Sequence, residues 1–292
     1  MTTELIKRAA LFAAIEGGST FWANEIASRG VDGVYDRLHA GFYPDRNSAT
    51  KISERLVSLD GEQVLEEINS GGNFFITPGD DDWPIRLNDL AATPIALIGR
   101  GNREFLKASE ESISIVGTRN PTGYGNRMAG DLAAGVVDRG WAVVSGGAYG
   151  IDAAAHKGAL VSEGTTIAIL AGGTERSYPS ANENLFREIE ETGLMLSEVM
   201  PKVPPIPVRF LIRNRIIAAL SAGTVVVEAA FRSGSLRTAR DAAEIFRPVM
   251  AVPGLVTSPT SEGCHRLIGE RGAELITCAA DIFELVLPLT SE

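Results

Sequence analysis

Three short loops of the sequence are rich in glycine or serine, and two of them also carry arginine, a composition typical of phosphate-binding sites. Glycine lets the backbone approach a ligand closely, and the free N–H groups at the start of a helix attract anions. The pattern predicts anion binding, although tight turns between strand and helix explain such glycines equally well. The loops contain Gly117, Thr118 and Arg119 in GTRNPTGYG, then Gly146, Gly147, Tyr149 and Gly150 in SGGAYG, and finally Ser233, Gly234, Ser235, Arg237 and Thr238 in RSGSLRT.

A basic stretch, RFLIRNR at residues 209–215, lies in a chain whose formal net charge is −10. It belongs to residues 201–240, a segment in which seven basic residues stand against Glu228 alone. An apolar run follows and predicts a buried helix, so the arginines oppose the helix macrodipole and need an internal glutamate or a polyanionic ligand. Phe210 offers a ring on which a base can stack, and a buried phenylalanine that anchors the helix is an equally good interpretation.

Candidate catalytic residues are few. Asp152 and His156 stand four positions apart on one helical face, but the alanine-rich helix IDAAAHKGAL is predicted to pack on a sheet, which favours a structural His156. Glu198 and Glu228 each end a predicted strand, where holding an arginine of the basic stretch is favoured over acid catalysis. The P-loop and GxSxG motifs, a well-placed GxGxxG and metal-ligand spacings do not occur, so we expect no enzyme activity, no cofactor and no metal.

The elements that must position these residues form two predicted parts. Residues 1–72 carry helical patterns at both ends, TELIKRAALFAAIE and DGEQVLEEINS, and predict a small helical domain. RGVDGVYDRLHAGFYPDRNSAT between them is rich in Gly, Asp and Pro, which predicts turns. Residues 73–292 begin with a connecting segment and then alternate short apolar runs with segments of helix length. The runs SISIVG, WAVVSG, TIAILAG, LMLSE, TVVVEA and PVMAVPG predict an α/β fold with an extended Rossmann-like, doubly wound and mostly parallel sheet.

The predicted sheet places the candidate residues together. Ligands bind beyond the carboxyl ends of parallel strands, so the three loops and the start of the basic helix are predicted to share one rim. No apolar run reaches the roughly 18 residues of a membrane helix, and the N-terminus lacks the pattern of a signal peptide. We therefore expect a cytoplasmic protein without a membrane partner.

Taken together, the segments resemble the DprA/Smf family of bacterial DNA-processing proteins, which bind single-stranded DNA and load the RecA recombinase. The matching segments include IVGTRNPTGYG, VSGGAYGIDAAAHKGAL, FLIRNRIIAALSAGTVVVEAAFRSGSLRTARDAAE and GCHRLIGERGAELIT, in the family's order over residues about 80 to 280. The resemblance implies a Rossmann-like domain behind a SAM-like helical domain, and a homodimer. It also implies that the protein protects incoming DNA and loads RecA in natural transformation or recombination.

The resemblance further implies a set of DNA-contacting positions. Arg119 and the SGGAYG loop would line a DNA-binding pocket, and Phe210 would contact a base. The basic residues of the RNR segment and the SGS loop would complete the electropositive surface. The implied set is Gly117, Thr118, Arg119, Gly146, Gly147, Tyr149, Gly150, Phe210, Arg213, Asn214, Arg215, Ser233, Gly234, Ser235, Arg237 and Thr238.

Three departures from the family pattern lead us to expect weaker DNA binding than in a typical member. Leu211 stands where members commonly have proline, which affects the rigidity of the loop. Many members carry a basic residue soon after YP, whereas this chain has Ser180 and no base before Arg187. The chain also ends at Glu292, which leaves no room for the winged-helix domain that many members carry at the C-terminus.

A different class of function stays open beside DNA binding. Related Rossmann-like folds bind or process nucleotides, and an acidic chain suits a small ligand better than a long polyanion. The orientation of the basic stretch distinguishes the two hypotheses. Arginines that face inward and pair with Glu198 and Glu228 would leave a small pocket and favour a nucleotide sensor or a nucleotide-processing enzyme.

Overall fold

The computed structural model describes residues 2–43 and 47–287. Four helices come first, and the two that the sequence predicts at the ends of this part are confirmed. The side chain of Asp60 caps the last of them, accepting hydrogen bonds from the amides of Glu62 and Gln63. The helices are α1 (Thr3–Ala14), α2 (Thr20–His39), α3 (Asn47–Val57) and α4 (Gly61–Ile68).

The prediction of turns between α1 and α4 was wrong for the described residues, since α2 and α3 occupy most of that segment. Residues 44–46 lie outside the described part of the chain. Val31, Val34 and Leu38 recur at helical spacing and are buried in one apolar cluster. Burial of this face outweighs the low helix propensity of the glycines and aspartates, and Gly30, at φ 70°, absorbs a kink within α2.

The rest of the described chain contains one sheet of nine strands, which is covered by helices. Its strands are β1 (Asn73–Ile76), β2 (Leu97–Gly101), β3 (Ser112–Val116), β4 (Ala142–Ser145), β5 (Thr166–Leu170), β6 (Leu194–Ser197), β7 (Gly223–Val226), β8 (Val249–Ala251) and β9 (Glu274–Leu275). The order is β1-β2-β6-β5-β4-β3-β7-β8-β9. The pairs β1–β2 and β2–β6 are antiparallel and the other pairs are parallel, which confirms the mostly parallel Rossmann-like sheet.

All six predicted strands are present as β3 to β8, and β1, β2 and β9 are additional to the prediction. The segment predicted only as a connection contains β1 and β2, which extend one edge of the sheet with antiparallel pairing. Seven further helices cover the two faces. They are α5 (Gly123–Val137), α6 (Ile151–Val161), α7 (Glu183–Thr192), α8 (Pro207–Leu220), α9 (Ser235–Glu244), α10 (Glu262–Gly269) and α11 (Ala279–Val286).

The packing divides these helices between the faces of the sheet. Helices α5, α6, α7 and α11 bury their apolar side chains on one face, and α8, α9 and α10 do so on the other. Every residue of β3 is buried, because helices cover this strand on both sides. Ser114 of β3 meets its polar requirement by donating its hydroxyl to the carbonyl of Ile217 in α8, at 2.8 Å.

The order of the strands creates a topological switch point at β3. The chain proceeds from β3 to β4, β5 and β6 on one side, and α8 then carries it back to β7 on the other side of β3. The loops after the neighbouring strands β3 and β7 run to helices on opposite faces of the sheet, α5 and α9. This leaves a crevice between the carboxyl ends of the two strands, which is where ligands bind in open α/β sheets. The fold therefore brings the loops after β3, β4 and β7 to one rim.

The helical part and the sheet share an apolar cluster. Phe12 of α1 and Leu65 of α4 belong to the same cluster as Phe75 of β1 and Ile98 of β2. The rings of Phe12 and Phe75 meet edge to face, with centroids 5.5 Å apart. The domain boundary between residues 72 and 73 stays a prediction. Across the two described ranges, no helix combines the length and apolar character needed to span a bilayer.

We predict that Leu65→Ala lowers the free energy of unfolding by about 2–5 kcal/mol, because Leu65 is 1% exposed and its loss opens a cavity in the shared cluster. Urea denaturation followed by circular dichroism measures the change. The matched control is Leu255→Ala, at a position that is 75% exposed, where we expect a change within about 0.5 kcal/mol. Equal effects of the two substitutions would contradict the shared core.

Candidate nucleic-acid interface

A cavity of about 230 Å³ lies at the switch point, where the loops after β3, β4 and β7 meet the first half of α8. We call it the rim cavity. The predicted convergence of these segments is therefore seen in the structure. Nine residues of the predicted DNA-binding set line the rim cavity, together with Val116, Ala148, Asp152, Leu211 and Ile217; the nine are Gly117, Arg119, Phe210, Arg213, Asn214, Ser233, Gly234, Ser235 and Thr238.

The glycines of the SGGAYG loop serve close packing and turns. A Cβ atom on Gly146 would lie 2.3 Å from Nη1 of Arg213, and one on Gly150 would lie 2.4 Å from the carbonyl oxygen of Thr118. Gly147 and Gly150 have φ values of 65° and 80°, which favour glycine. The same carbonyl of Thr118 accepts the amide of Ile151 at 3.1 Å, so the loops after β3 and β4 hold each other.

Arg213 is a buried cation beneath the rim. Only 6% of it is exposed, and its Nη1 donates to the carbonyls of Gly146, at 2.7 Å, and Ile169. Burial lowers the pKa of its guanidinium to about 10, and the carboxylate of Asp152 opposes that shift. Its Nε atom is buried without a hydrogen-bond partner among the described residues. Arg213 therefore contributes positive potential to the cavity from below.

His156 is structural, as the sequence analysis favours. The ring is fully buried, and its Nδ1 lies 2.7 Å from Oγ1 of Thr166, whose hydroxyl donates to the carbonyl of Val143. Because Thr166 uses its proton there, Nδ1 of His156 is the donor in this pair. Burial lowers the pKa of the imidazole to about 3, so the ring is neutral. Asp152 is also buried, which raises the pKa of its carboxyl, with Arg213 opposing.

The other two arginines of the basic stretch pair with glutamates. Nη2 of Arg215 lies 2.5 and 2.6 Å from the two carboxylate oxygens of Glu198, and both side chains are nearly buried. Arg209 pairs with Glu16 of the helical part, with Nη2 and Oε2 2.9 Å apart. These internal carboxylates compensate the cations at the start of α8. Arg215 consequently does not line the rim cavity.

Glu198 thus holds an arginine as predicted, whereas Glu228 does not. The carboxylate of Glu228 accepts the backbone amide of Thr122 at 2.9 Å and its hydroxyl at 2.7 Å. Thr122 in turn caps α5 by accepting the amide of Gly125. The prediction that Glu228 positions an arginine was wrong, because this carboxylate fixes the loop after β3 instead.

Two aromatic rings and one guanidinium lie at the mouth of the cavity. The exposed guanidinium of Arg119 lies over the ring of Phe210, with Cζ 5.0 Å from the ring centroid. The ring of Tyr178 meets Phe210 edge to face, with centroids 5.5 Å apart, and is 49% exposed. Tyr178 was missing from the predicted site. The signal that could have found it is the YP dipeptide in the loop after β5, which ends at the same rim.

The start of α9 forms the wall opposite Arg119. The hydroxyls of Ser233 and Ser235 lie 2.7 Å apart, and Nδ2 of Asn214 donates to the carbonyl of Gly234 at 3.2 Å. Helix α9 begins at Ser235, and its first amides are already bonded to Ser233 and Gly234, so the donor left for an anion is the hydroxyl of the serine pair that does not donate to the other. Seven predicted positions stand outside the cavity lining: Thr118, Gly146, Gly147, Tyr149, Gly150, Arg215 and Arg237. The half-exposed side chain of Arg237 pairs with Asp241 at 2.6 Å, and Tyr149 is 44% exposed.

Comparison with known proteins identifies the family of this chain. The sequence profile of the family "DNA recombination-mediator protein A" matches residues 74–287, which include the whole sheet except the first residue of β1. The chain belongs to this family. A DprA protein of Mycobacterium tuberculosis is 45% identical over 233 residues, and the match covers 76% of this chain and 60% of that protein. DNA processing protein DprA of Streptococcus pneumoniae is 38% identical over 237 residues, covering 81% and 82% of the two chains.

Solved structures of the family share the fold. The X-ray structure of DprA from Streptococcus pneumoniae matches with a TM-score of 0.83 and 31% identity, over 97% of this chain and 98% of that chain. A DprA structure from Helicobacter pylori, whose title concerns its binding of single-stranded DNA, matches with a TM-score of 0.66 and 29% identity. That match covers 74% of this chain and 95% of the other. The extended Rossmann-like prediction is therefore confirmed by sequence and structure alike.

The buried state of His156 predicts a loss of stability in acid. The folded imidazole has a pKa of about 3, whereas the unfolded chain titrates near the ordinary value of roughly 6.5. Between these values the unfolded chain binds a proton that the folded chain does not, so stability falls as pH falls. We expect a loss of about 2 kcal/mol from this group between pH 7 and pH 5.

Urea denaturation at the two pH values measures that loss. The control is His156→Gln, which cannot be protonated and should show a correspondingly smaller difference between pH 7 and pH 5. The same pH dependence in both proteins would contradict a neutral buried His156.

The two ion pairs of α8 predict very different costs of substitution. Glu198→Gln leaves the buried guanidinium of Arg215 without its counter-charge and should lower the free energy of unfolding by about 3–5 kcal/mol. Glu16→Gln is the matched control, because Glu16 is 43% exposed and its pair with Arg209 should contribute less than about 1 kcal/mol. Thermal or urea denaturation compares the two variants. A similar small effect of both would show that the Glu198 pair does not anchor the helix.

Proposed function

We propose that this protein binds single-stranded DNA at the rim cavity, protects it, and delivers it to the RecA recombinase in transformation or recombination. The observation that carries the proposal is the convergence of three strand-end loops and α8 on one cavity, with Arg119 and Phe210 at its mouth. Membership of the recombination-mediator family supports it, as does the single-stranded DNA binding named for the Helicobacter pylori relative. The proposal assigns the chain no catalytic step and no cofactor.

The exposed side chains of the rim would contact DNA directly, and the buried ones would act through charge or position. Arg119 is exposed and would contact phosphate, while Phe210 would stack a base. One hydroxyl of the pair Ser233 and Ser235, at the start of α9, would donate to a phosphate oxygen. Buried Arg213 would add attraction through the cavity floor, and Arg215 would position α8 through Glu198.

Electrostatics support a weak and salt-sensitive interaction. The chain carries a net charge of −10, and three cations of the basic segment, Arg209, Arg215 and Arg237, are paired with carboxylates. Fewer unpaired cations release fewer counterions from DNA, so affinity should be lower than for a strongly basic protein. The exposed Ser180, where many members have a base, acts in the same direction. Leu211 lies within a regular α8, whose first position is Pro207, so a proline still begins the helix.

The family also supports the proposals on partners and location. We propose that the protein forms a homodimer and a complex with RecA in the cytoplasm, as the resemblance to the DprA/Smf family implies. The helical part, residues 1–72, and the Rossmann-like part, residues 73–292, are proposed as the two domains of the chain. The chain spans 60% of the Mycobacterium tuberculosis relative that it matches, so the roles of the full-length relatives enter this proposal only by analogy.

A second candidate function, mononucleotide binding, is favoured by one observation. Arg215 faces inward and pairs with Glu198, and the rim cavity, at about 230 Å³, has room for little more than one nucleotide unit. Arg213 also faces inward, although it binds backbone carbonyls and not Glu228. DNA binding is preferred because the guanidinium of Arg119 and the half-buried ring of Phe210 lie at the open mouth of the cavity, next to the exposed ring of Tyr178, and suit a strand that continues beyond the cavity.

Fluorescence anisotropy with a labelled oligo-dT at several salt concentrations tests the proposal. We expect binding at low salt that weakens with added salt, with a slope set by the few uncompensated cations of the rim. Phe210→Ala should cost about 1–3 kcal/mol of binding free energy through lost stacking, and Arg119→Gln should weaken all sequences about equally. Lys51→Gln, at an exposed position on α3, is the control and should bind like the wild type.

Two outcomes would contradict the proposal. The first is no binding by the wild type at low salt. The second is displacement of the oligonucleotide by an equal concentration of thymidine monophosphate, which would favour the mononucleotide hypothesis. Thermal-shift measurements with the same two ligands check the result without a label.

A further inference from the structure

Tyr178 is a second aromatic ring at the mouth of the rim cavity, and unlike the half-buried Phe210 it is exposed. It follows β5 at the carboxyl edge of the sheet and is 49% exposed. No hydrogen bond fixes its hydroxyl among the described residues, and its main side-chain contact is the edge-to-face pair with Phe210. An exposed aromatic side chain without a structural task stands next to the ring that is proposed to stack a base.

The distance between the two rings decides how bases can use them. The centroids of Tyr178 and Phe210 are 5.5 Å apart and the ring planes differ by 61°. A base held between two rings needs roughly 7 Å, which is twice the optimal separation of carbon atoms in contact. The two rings therefore cannot clamp one base. Each can receive a different base, so the pair can hold two successive nucleotides.

A cation accompanies this second ring. Arg176 lies two residues before Tyr178 in the same loop and is exposed. Its Nε donates to the carbonyl of Lys202 at 3.1 Å, which anchors the side chain. Within residues 2–43 and 47–287, no carboxylate forms an ion pair with it. An anchored and uncompensated guanidinium two residues before an exposed ring, in one loop, has the composition of a nucleotide site on single-stranded DNA.

We infer that Tyr178 and Arg176 form a second nucleotide subsite, at which Tyr178 stacks the base next to the one on Phe210 and Arg176 holds a phosphate. The inference rests on the proposed binding of single-stranded DNA at the rim cavity. It gives the strand a direction, from the cavity across Phe210 toward the loop after β5. Arg176 would also provide a cation in the same loop as Ser180, the position near which many family members carry a basic residue.

Two oligonucleotides of equal length, oligo-dT and a chain made wholly of abasic sites, separate stacking from charge. Tyr178→Ala should weaken oligo-dT binding about tenfold and leave binding of the abasic chain unchanged, because only the base is lost to the ring. Arg176→Gln should weaken both chains to a similar extent and lower the salt dependence by about one counterion. Tyr178→Phe, which keeps the ring, should bind like the wild type.

Matched controls distinguish a subsite from a folding defect. Phe246→Ala removes a ring that is 94% exposed at the opposite end of α9 and should not change binding. Tyr178→Leu keeps apolar bulk against Phe210 without a stacking face, so it should bind like Tyr178→Ala if the base contacts the ring. Melting temperatures of all variants report on folding.

The outcomes separate this inference from the proposed function. If the wild type and Tyr178→Ala bind oligo-dT equally while Phe210→Ala binds weakly, the second subsite is refuted and DNA binding stands. Equal weakening of oligo-dT and the abasic chain by Tyr178→Ala would show a role in packing and would also refute the subsite. Failure of the wild type to bind either chain would overturn the proposed function and the subsite together.

Discussion

The rim depends on one buried guanidinium. Nη1 of Arg213 donates to the carbonyls of Gly146 and Ile169, so α8 is tied to the carboxyl ends of two neighbouring strands, β4 and β5. The close approach requires glycine at position 146, since a Cβ atom there would meet the guanidinium at 2.3 Å. A buried cation tolerates no loss of its partners, and its own field attracts anions to the cavity above it. The hydrogen bonds of Arg213 to these two carbonyls therefore serve both the packing of α8 and the proposed binding of an anion.

Other arginines of the site either pair with a carboxylate and support α8 or remain exposed to solvent. Arg209 and Arg215 neutralise glutamates and fix the start of α8 against the helical part and β6, whereas Arg119 at the end of β3 stays exposed. A chain with a net charge of −10 can therefore still present a positive rim, because the potential that a ligand feels depends on the local arrangement of charges. The same arrangement limits the number of free cations and hence the expected affinity.

The prediction from sequence succeeded where local pattern and tertiary environment agree. Runs such as SISIV are buried on both faces, so their composition is that of central parallel strands, and β3 to β8 were found. The helix α2 was missed because its glycines and aspartates conceal an apolar face, Val31, Val34 and Leu38, that is stabilised only by α1 and α3. The strands β1 and β2 were missed because their apolar runs, FFI and IALI, flank a segment rich in Pro, Gly and Asp without an intervening helical pattern, and because they pair antiparallel at one edge of the sheet.

The sequence by itself determined the alternation of strands and helices, and with it the position of the glycine and serine loops at one rim. This follows because carboxyl ends of parallel strands share an edge, whatever the side chains do. Only the tertiary structure decided which side chains face the ligand. Arg213 and Arg215 lie two positions apart on α8 and so point to different sides, one under the cavity and the other toward Glu198. Contacts between residues distant in sequence, such as Phe210 with Arg119 and Tyr178, depend on how whole elements pack, which no local pattern specifies.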